Sequence, residues 1–360
     1  MNIEAPHSGY HWRGQSERFF EGWYLRVTLS AIAQTFAFMY SIDDPAGNSF
    51  YSGGAAQILG PNESYYCRTF PNTHRFWASL SRLAVGHQRI VSQTGGQATL
   101  HTSQPNSQAT EYINNQTEGY HFTARHHQGR LLSPTGIVQA EWEYSIEPIS
   151  TWGKSASPRA TAGWLSYFPI FEPGWQVLMA HGLASGQIYW QGKPYDFEKA
   201  PAYAEKNWGG AFPSKWFWLQ CNAFANAPEL SITAAGGVRE VVFLKEDVGL
   251  IGIHYRGEFY EFLSTQTAFA WTVEPWGSWL LSAHSDRYRV EITGRTHDRG
   301  AYVRVPTRNG LQWLCRDTTH GELQVQLWTS DGKVIVEARS NLAGLEVGGA
   351  PWEEAWIVER

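Results

Sequence analysis

Cysteine is scarce in this chain of 360 residues. Cys67, Cys221 and Cys315 are too few and too far apart for a disulfide framework, and no CxxC pair is spaced to hold zinc. They read as reduced thiols. Concentrated positive charge is also missing: 28 Lys and Arg stand against 33 Asp and Glu, and the cations are scattered singly. A nucleic-acid partner is therefore not expected, because binding phosphate needs a cationic face. No apolar run approaches the roughly 18 residues of a spanning helix, and the opening MNIEAPHSGYHWRGQ has no signal-peptide core. These absences predict a soluble, cytoplasmic protein. GxSxG, HExxH, P-loop and GxGxxG motifs are absent too, which removes local support for serine-hydrolase, zincin and nucleotide-dependent chemistry.

Aromatic rings are what the chain has in excess, with 18 Trp, 17 Tyr and 18 Phe although only 42% of residues are hydrophobic. Rings favour strands and line cavities for large apolar ligands. Alternation recurs at strand period: Phe36, Phe38, Tyr40 and Ile42 share one face, as do Tyr288, Val290 and Ile292, and Leu323, Val325 and Leu327. Turn signals separate such runs at Asp44-Pro45-Ala46-Gly47, Gly60-Pro61-Asn62, Gly95-Gly96, Asn114-Asn115, Gly236-Gly237 and Asp331-Gly332. No helix longer than two turns is evident. The pattern predicts an all-β protein of antiparallel barrels or sandwiches. Residues 148–163 read as an exposed polar loop, and a break near residues 236–248 suggests units 1–240 and 241–360, the first with an insertion near 94–160.

Two segments concentrate chemistry. In AYAEKNWGGAFPSKWFW, residues 202–218, alternation puts Tyr203, Glu205 and Asn207 on one face and Lys206 and Trp208 on the other. A carboxyl buried among rings stays protonated near neutral pH and can act as an acid, with Asn207 bonding to it and Tyr203 lining the same wall. An exposed Glu205 paired to the next strand is the plainer alternative, and Trp208, Trp216 and Trp218 can equally be core. In ERFFEGWYLRVTL, Glu21, Trp23 and Leu25 share a face opposite Phe20, Tyr24 and Arg26. Glu21 is either a second functional carboxyl or a buried one pairing with an arginine and plugging a barrel end. His121, His126 and His127 read as surface histidines on a hairpin; neighbours 126 and 127 point to opposite faces of a strand and do not share a metal.

PHSGYHW, RFFEGWYLRV, FAFMYSIDDP, FPIFEPGWQVLMAHGLASG, APAYAEKNWGGAFPSKWFWLQCN, EPWGSW, CRDTTHGELQVQLW and EVGGAPW together resemble the tocopherol cyclase family almost end to end, with residues 94–160 carrying little of the likeness. More distantly the chain resembles carotenoid 1,2-hydratases. Glu205-Lys206-Asn207-Trp208 is similar to their acid motif, with Glu in place of Asp, and Glu21-Gly22-Trp23-Tyr24 to a second one. The resemblance implies two lipocalin-like barrels. It also implies a cofactor-free closure of a prenylated benzoquinol, such as dimethyl-phytyl-benzoquinol, to the chromanol of γ-tocopherol.

Such a closure needs a proton on the alkene of the prenyl tail, and capture of the tertiary cation by the quinol oxygen. On this likeness Glu205 is the donor, Asn207 and Tyr203 orient it, and Lys206 tunes it or lies outside. Glu21 is a base or a structural partner, and Asp317 is a third acid. Trp23, Tyr24, Tyr40, Trp208 and Trp218 would wall the pocket and stabilise the cation with their ring faces. No obligate protein partner is implied, and collecting a membrane lipid implies peripheral contact with an internal membrane such as the thylakoid. A non-catalytic isoprenoid carrier and a carbohydrate hydrolase are the competing readings; both also use aromatic walls.

Overall fold

The computed structural model describes residues 4–15, 18–90, 117–154, 157–161, 163, 173–241, 244–349 and 352–359. The turns at Gly95-Gly96 and Asn114-Asn115, and residues 94–116 of the insertion expected near 94–160, lie outside them; most of the rest of that span is no insertion but the strands Thr117–Thr123, His126–Leu132 and Val138–Ser150 of the first sheet. Two antiparallel sheets of 11 strands each make up the fold, with three short 3-10 turns among the described residues. This is the expected all-β, lipocalin-like pair of curled sheets.

The first sheet runs in the order Tyr65–Phe70, Gly53–Leu59, Gln34–Asp43, Phe20–Leu29, Lys193–Gly209, Gly174–Trp190, Val138–Ser150, His126–Leu132, Thr117–Thr123, Ala84–Ile90, Phe76–Ala78. Its ends curl towards each other: Arg68 pairs with Glu118 at 2.7 Å, and the Tyr66 hydroxyl donates to the Leu132 carbonyl at 2.6 Å. Phe36, Phe38, Tyr40 and Ile42 all point into the enclosed core, as alternation requires, where they meet Tyr120, Phe122, Trp142 and Tyr144. Rings fill the lumen.

The second sheet orders Glu258–Leu263, Leu244–Tyr255, Ser231–Val241, Lys215–Cys221, Val334–Gly349, Gly310–Thr329, Tyr288–Arg295, Ser278–His284, Ala268–Val273 and Trp356–Glu359, with Ala301–Thr307 paired onto Gly310–Thr329. Val290, Ile292, Leu323, Val325 and Leu327 form its core. The sheets divide between Gly209 and Lys215, about thirty residues before the break near 236–248 that the glycines suggest. Gly236 and Gly237 sit within a continuous strand rather than at a turn, because Gly236 leaves room for the Phe217 ring: a Cβ there would lie 2.4 Å from it.

The sheets meet along one seam. Phe20–Leu29 is buried on both faces, so its second face, Phe20, Tyr24 and Arg26, reaches out of the first barrel to the second. Arg26 is the pin. Its guanidinium donates to the carbonyls of Gln220 and Thr319, both at 3.2 Å, and to that of Leu342. Lys215–Cys221 divides in the same way: Phe217, Leu219 and Cys221 enter the second core, while Trp216 and Trp218 stay outside it. Arg26→Met removes those donors and leaves buried carbonyls unsatisfied. Urea unfolding should show a loss of about 3 kcal/mol.

Candidate active site

In the seam, Glu205 is buried with 7% of its surface exposed, and one of its oxygens collects three donors. Tyr203 Oη donates to Oε2 at 2.6 Å, Trp175 Nε1 at 2.9 Å and Trp218 Nε1 at 3.1 Å. Each donor comes from a different strand. Tyr203 is two residues before Glu205 on the same face; Trp175 lies opposite Asn207 in the neighbouring strand, whose register shifts between Val177 and Met179; Trp218 reaches across from the second sheet. A bulge beside a functional group re-aims side chains at no change in topology.

Oε1 has no hydrogen-bond partner among the described residues, and Glu205 lines a pocket with Trp175, Asn207, Phe212, Trp216, Trp218 and Glu346. Burial pushes the carboxyl up to about 7; the Tyr203 and Trp175 donors restrain the rise, the Glu346 charge adds to it, and Trp218 restrains it further. The acid is therefore substantially protonated near neutrality.

The sequence-predicted residues separate into two groups. Glu205, Tyr203, Asn207 and Trp218 come together at the pocket, and Tyr24 packs behind Trp218 with ring centres 5.2 Å apart. Asn207 shares the wall but makes no hydrogen bond to Glu205 among the described residues; Trp175 takes that position. Asp317 is buried one strand away, as the cross-strand partner of Glu346.

Glu21, Lys206, Trp23, Trp208 and Tyr40 belong to the other face, so Trp23, Trp208 and Tyr40 do not line this pocket as expected, and Lys206 takes the second of its two expected places, outside it. Period-two alternation is the reason: if residue 205 faces the seam, residues 206 and 208 face the first barrel. Lys206 Nζ pairs with Glu21 Oε1 at 2.5 Å and donates to the Gly9 carbonyl at 2.7 Å, with the Trp23 and Trp208 rings 5.9 and 5.3 Å from it. The His11 backbone N–H closes the cage on Glu21 Oε2 at 2.9 Å. Burial opposes the charge on Glu21, but Lys206 and His11 outweigh it and hold the carboxyl below its usual range. Glu21 is thus held by Lys206 and His11, a lysine standing in place of the expected arginine partner. Tyr40 stacks on Tyr120 with centroids 4.0 Å apart.

The histidines also differ from expectation. His127 is fully buried, bonded to the Tyr40 hydroxyl at 2.6 Å and to that of Tyr144, and burial holds its imidazole well below the usual range. His121 is buried against Trp77. Only His126 is partly exposed, beside Glu143. No group of three His, Cys, Asp or Glu among the described residues is arranged to hold a metal.

Two functional residues escape sequence reasoning. Trp175 sits in the quoted string FPIFEPGWQVL, of which residues 168–172 lie outside the described residues, and only the sheet register brings it to Glu205. Glu346 sits in EVGGAPW; its glycine neighbours were the available signal, since Gly344 and Gly348 clear the strand for the Trp218 and Trp216 rings.

Difference infrared spectroscopy should find a protonated carboxyl whose C=O band disappears as pH rises through about 7, and Glu205→Gln should abolish it. Trp175→Phe or Tyr203→Phe removes a donor to the ionised form and should move that titration to higher pH. Glu21→Gln strands the Lys206 charge in the barrel and should cost about 3–5 kcal/mol in denaturant unfolding. The Glu205 titration should survive it.

A family model described as tocopherol cyclase-like matches residues 17–349. Tocopherol cyclase, chloroplastic, of Zea mays is 39% identical over 99% of this chain and 80% of its own length. A protein of Oryza sativa subsp. japonica described as probable tocopherol cyclase, chloroplastic, is 40% identical over 98% of this chain and 80% of its own. Among solved structures, CghA superposes over 97% of this chain and 96% of its own with a TM-score of 0.52 at 10% identity, a likeness of fold alone. With the match of model and relatives over nearly its whole length, the chain belongs to the tocopherol cyclase-like family.

Proposed function

We propose that this chain is a tocopherol cyclase that closes the chromanol ring of a prenylated benzoquinol in the seam pocket, with Glu205 as proton donor. The substrate class is a reduced 2-prenyl quinol such as 2,3-dimethyl-6-phytyl-1,4-benzoquinol, and the product a γ-tocopherol-type chromanol. The proton on Oε1 passes to the less substituted carbon of the nearest prenyl double bond. A C–H bond forms there, and the tertiary carbon becomes a cation. The quinol oxygen ortho to the tail captures it, forms the C–O bond and releases its own proton. No redox change occurs.

One observation carries the assignment: three donors converge on Oε2 of a carboxyl that lines the pocket, while no described residue bonds to Oε1. The donors stabilise the charge left behind on the carboxylate, and the free oxygen is the one positioned to give up hydrogen. Alkenes are weak bases, so the acid must be aimed as well as protonated. The indoles of Trp175, Trp216 and Trp218 offer ring faces to a cation without acting as nucleophiles, and a largely apolar wall limits water that would hydrate it. A prenylated quinol resides in a bilayer, so the protein would meet it as a peripheral partner of an internal membrane.

Glu205→Gln is expected to bind reduced prenylquinol, read as quenching of indole fluorescence, and to lose chromanol formation by about 10²–10⁴-fold. In the unmodified protein kcat should fall as pH rises through about 7, because the neutral carboxyl is the active form. Unchanged turnover in the variant would remove Glu205 from the chemistry, and recovery of intact quinol from the unmodified protein would make the chain a carrier.

A further inference from the structure

The seam holds a second carboxyl that faces the same cavity. Glu346, from strand Val334–Gly349 of the second sheet, lines the pocket opposite the first-sheet strand that carries Glu205. Its register partners are Trp218 on one side and Asp317 on the other. Trp216 Nε1 donates to its Oε1. Behind it Asp317 is fully buried, and among the described residues no side chain hydrogen-bonds to either of its oxygens; the Tyr24 hydroxyl, which feels the Asp317 charge, is likewise buried without a partner among them. Unpaired acceptors at such depth are costly, and proteins retain them mainly where they serve chemistry.

We propose that Glu346, backed by Asp317, is the base of the ring closure, taking the proton that the quinol oxygen loses as its C–O bond forms. This rests on the cyclase reading. Glu205 and Glu346 then divide the two proton transfers between opposite walls of one pocket. As the oxygen attacks the tertiary cation, the O–H bond breaks and its proton joins the Glu346 carboxylate. Glu205 ends ionised and Glu346 protonated; return of that proton to Glu205 resets the site, and none is consumed.

The electrostatics agree with the geometry. Burial and the Glu346 charge push Asp317 well above the usual carboxylate range, opposed by Arg26 and augmented by Glu63. Burial also raises Glu346, but the Trp216 N–H and the Cys315 thiol, both donating to it, hold it back. Both carboxyls are raised, and Glu346 has donors on it that Asp317 lacks among the described side chains. Across the cavity a charge on Glu346 raises Glu205, which keeps the donor loaded. Two carboxyls are forced to opposite roles by their surroundings.

The full chain with reduced prenylquinol in D2O tests this. The unmodified protein should give chromanol with one new C–D bond and leave recovered quinol nearly unlabelled. In Glu346→Gln the amide oxygen still accepts from Trp216, so alkene protonation continues but capture slows. Chromanol should fall by about 100-fold while deuterium enters the prenyl chain of recovered quinol, as the cation loses a proton again. Glu205→Gln should show neither product nor exchange; if it cyclises, the donor assignment fails while the Glu346 readout stays interpretable. Chromanol formation by Glu346→Gln at the parent rate overturns the proposal. Should that variant not fold, the unmodified protein decides: kcat must fall on acidification as Glu346 takes up a proton, and a flat acidic limb overturns the proposal.

Discussion

Everything in the seam depends on one buried carboxyl accepting three hydrogen bonds on a single oxygen. Trp175, Tyr203 and Trp218 come from three strands in two sheets, so the bonds that position Glu205 also bind the sheets together. A buried acid without them would rise further in pKa and lose a defined orientation; with full pairing it would ionise and cease to be a donor. Saturating one oxygen and leaving the other bare reconciles these demands. Arg26 closes the same seam with a fixed cation that spends its donors on backbone carbonyls.

Among the described residues, Phe38, Tyr40, Tyr120, Phe122, His127 and Tyr144 interlock in the core of the first barrel, and Lys206 with Glu21 sits among aromatics on the same side of the sheet. Lys206 follows Glu205 directly in sequence but lies on the opposite face of the strand, where Glu21 pairs with it.

Much of this was legible locally. Period-two alternation correctly divides Phe36, Phe38, Tyr40 and Ile42 from their neighbours, and Glu205 from Lys206, because side-chain direction in a strand is a local property. What strands meet across a face is not local. Trp175 is 30 residues from Glu205 and reaches it through a bulged register, and Glu346 arrives from the other sheet. His127 reads as a polar surface residue until Tyr40, 87 residues away, supplies a hydroxyl for its imidazole. The paired glycines at 236 and 237 mimic a turn for a related reason: the ring that needs the bare backbone at Gly236, Phe217, belongs to the adjacent strand.

Charge conservation ties the two carboxyls into one device. Burial raises both Asp317 and Glu346, and a charge on Glu346 opposes ionisation of Glu205. Donation to the alkene would place two carboxylates around one cavity, an arrangement that low dielectric penalises heavily. A carbocation between them removes the penalty, since net charge then stays unchanged through the step. The acid is therefore reluctant to ionise in an empty pocket and willing to do so where a tertiary cation can form. Trp and Tyr faces add attraction for that cation.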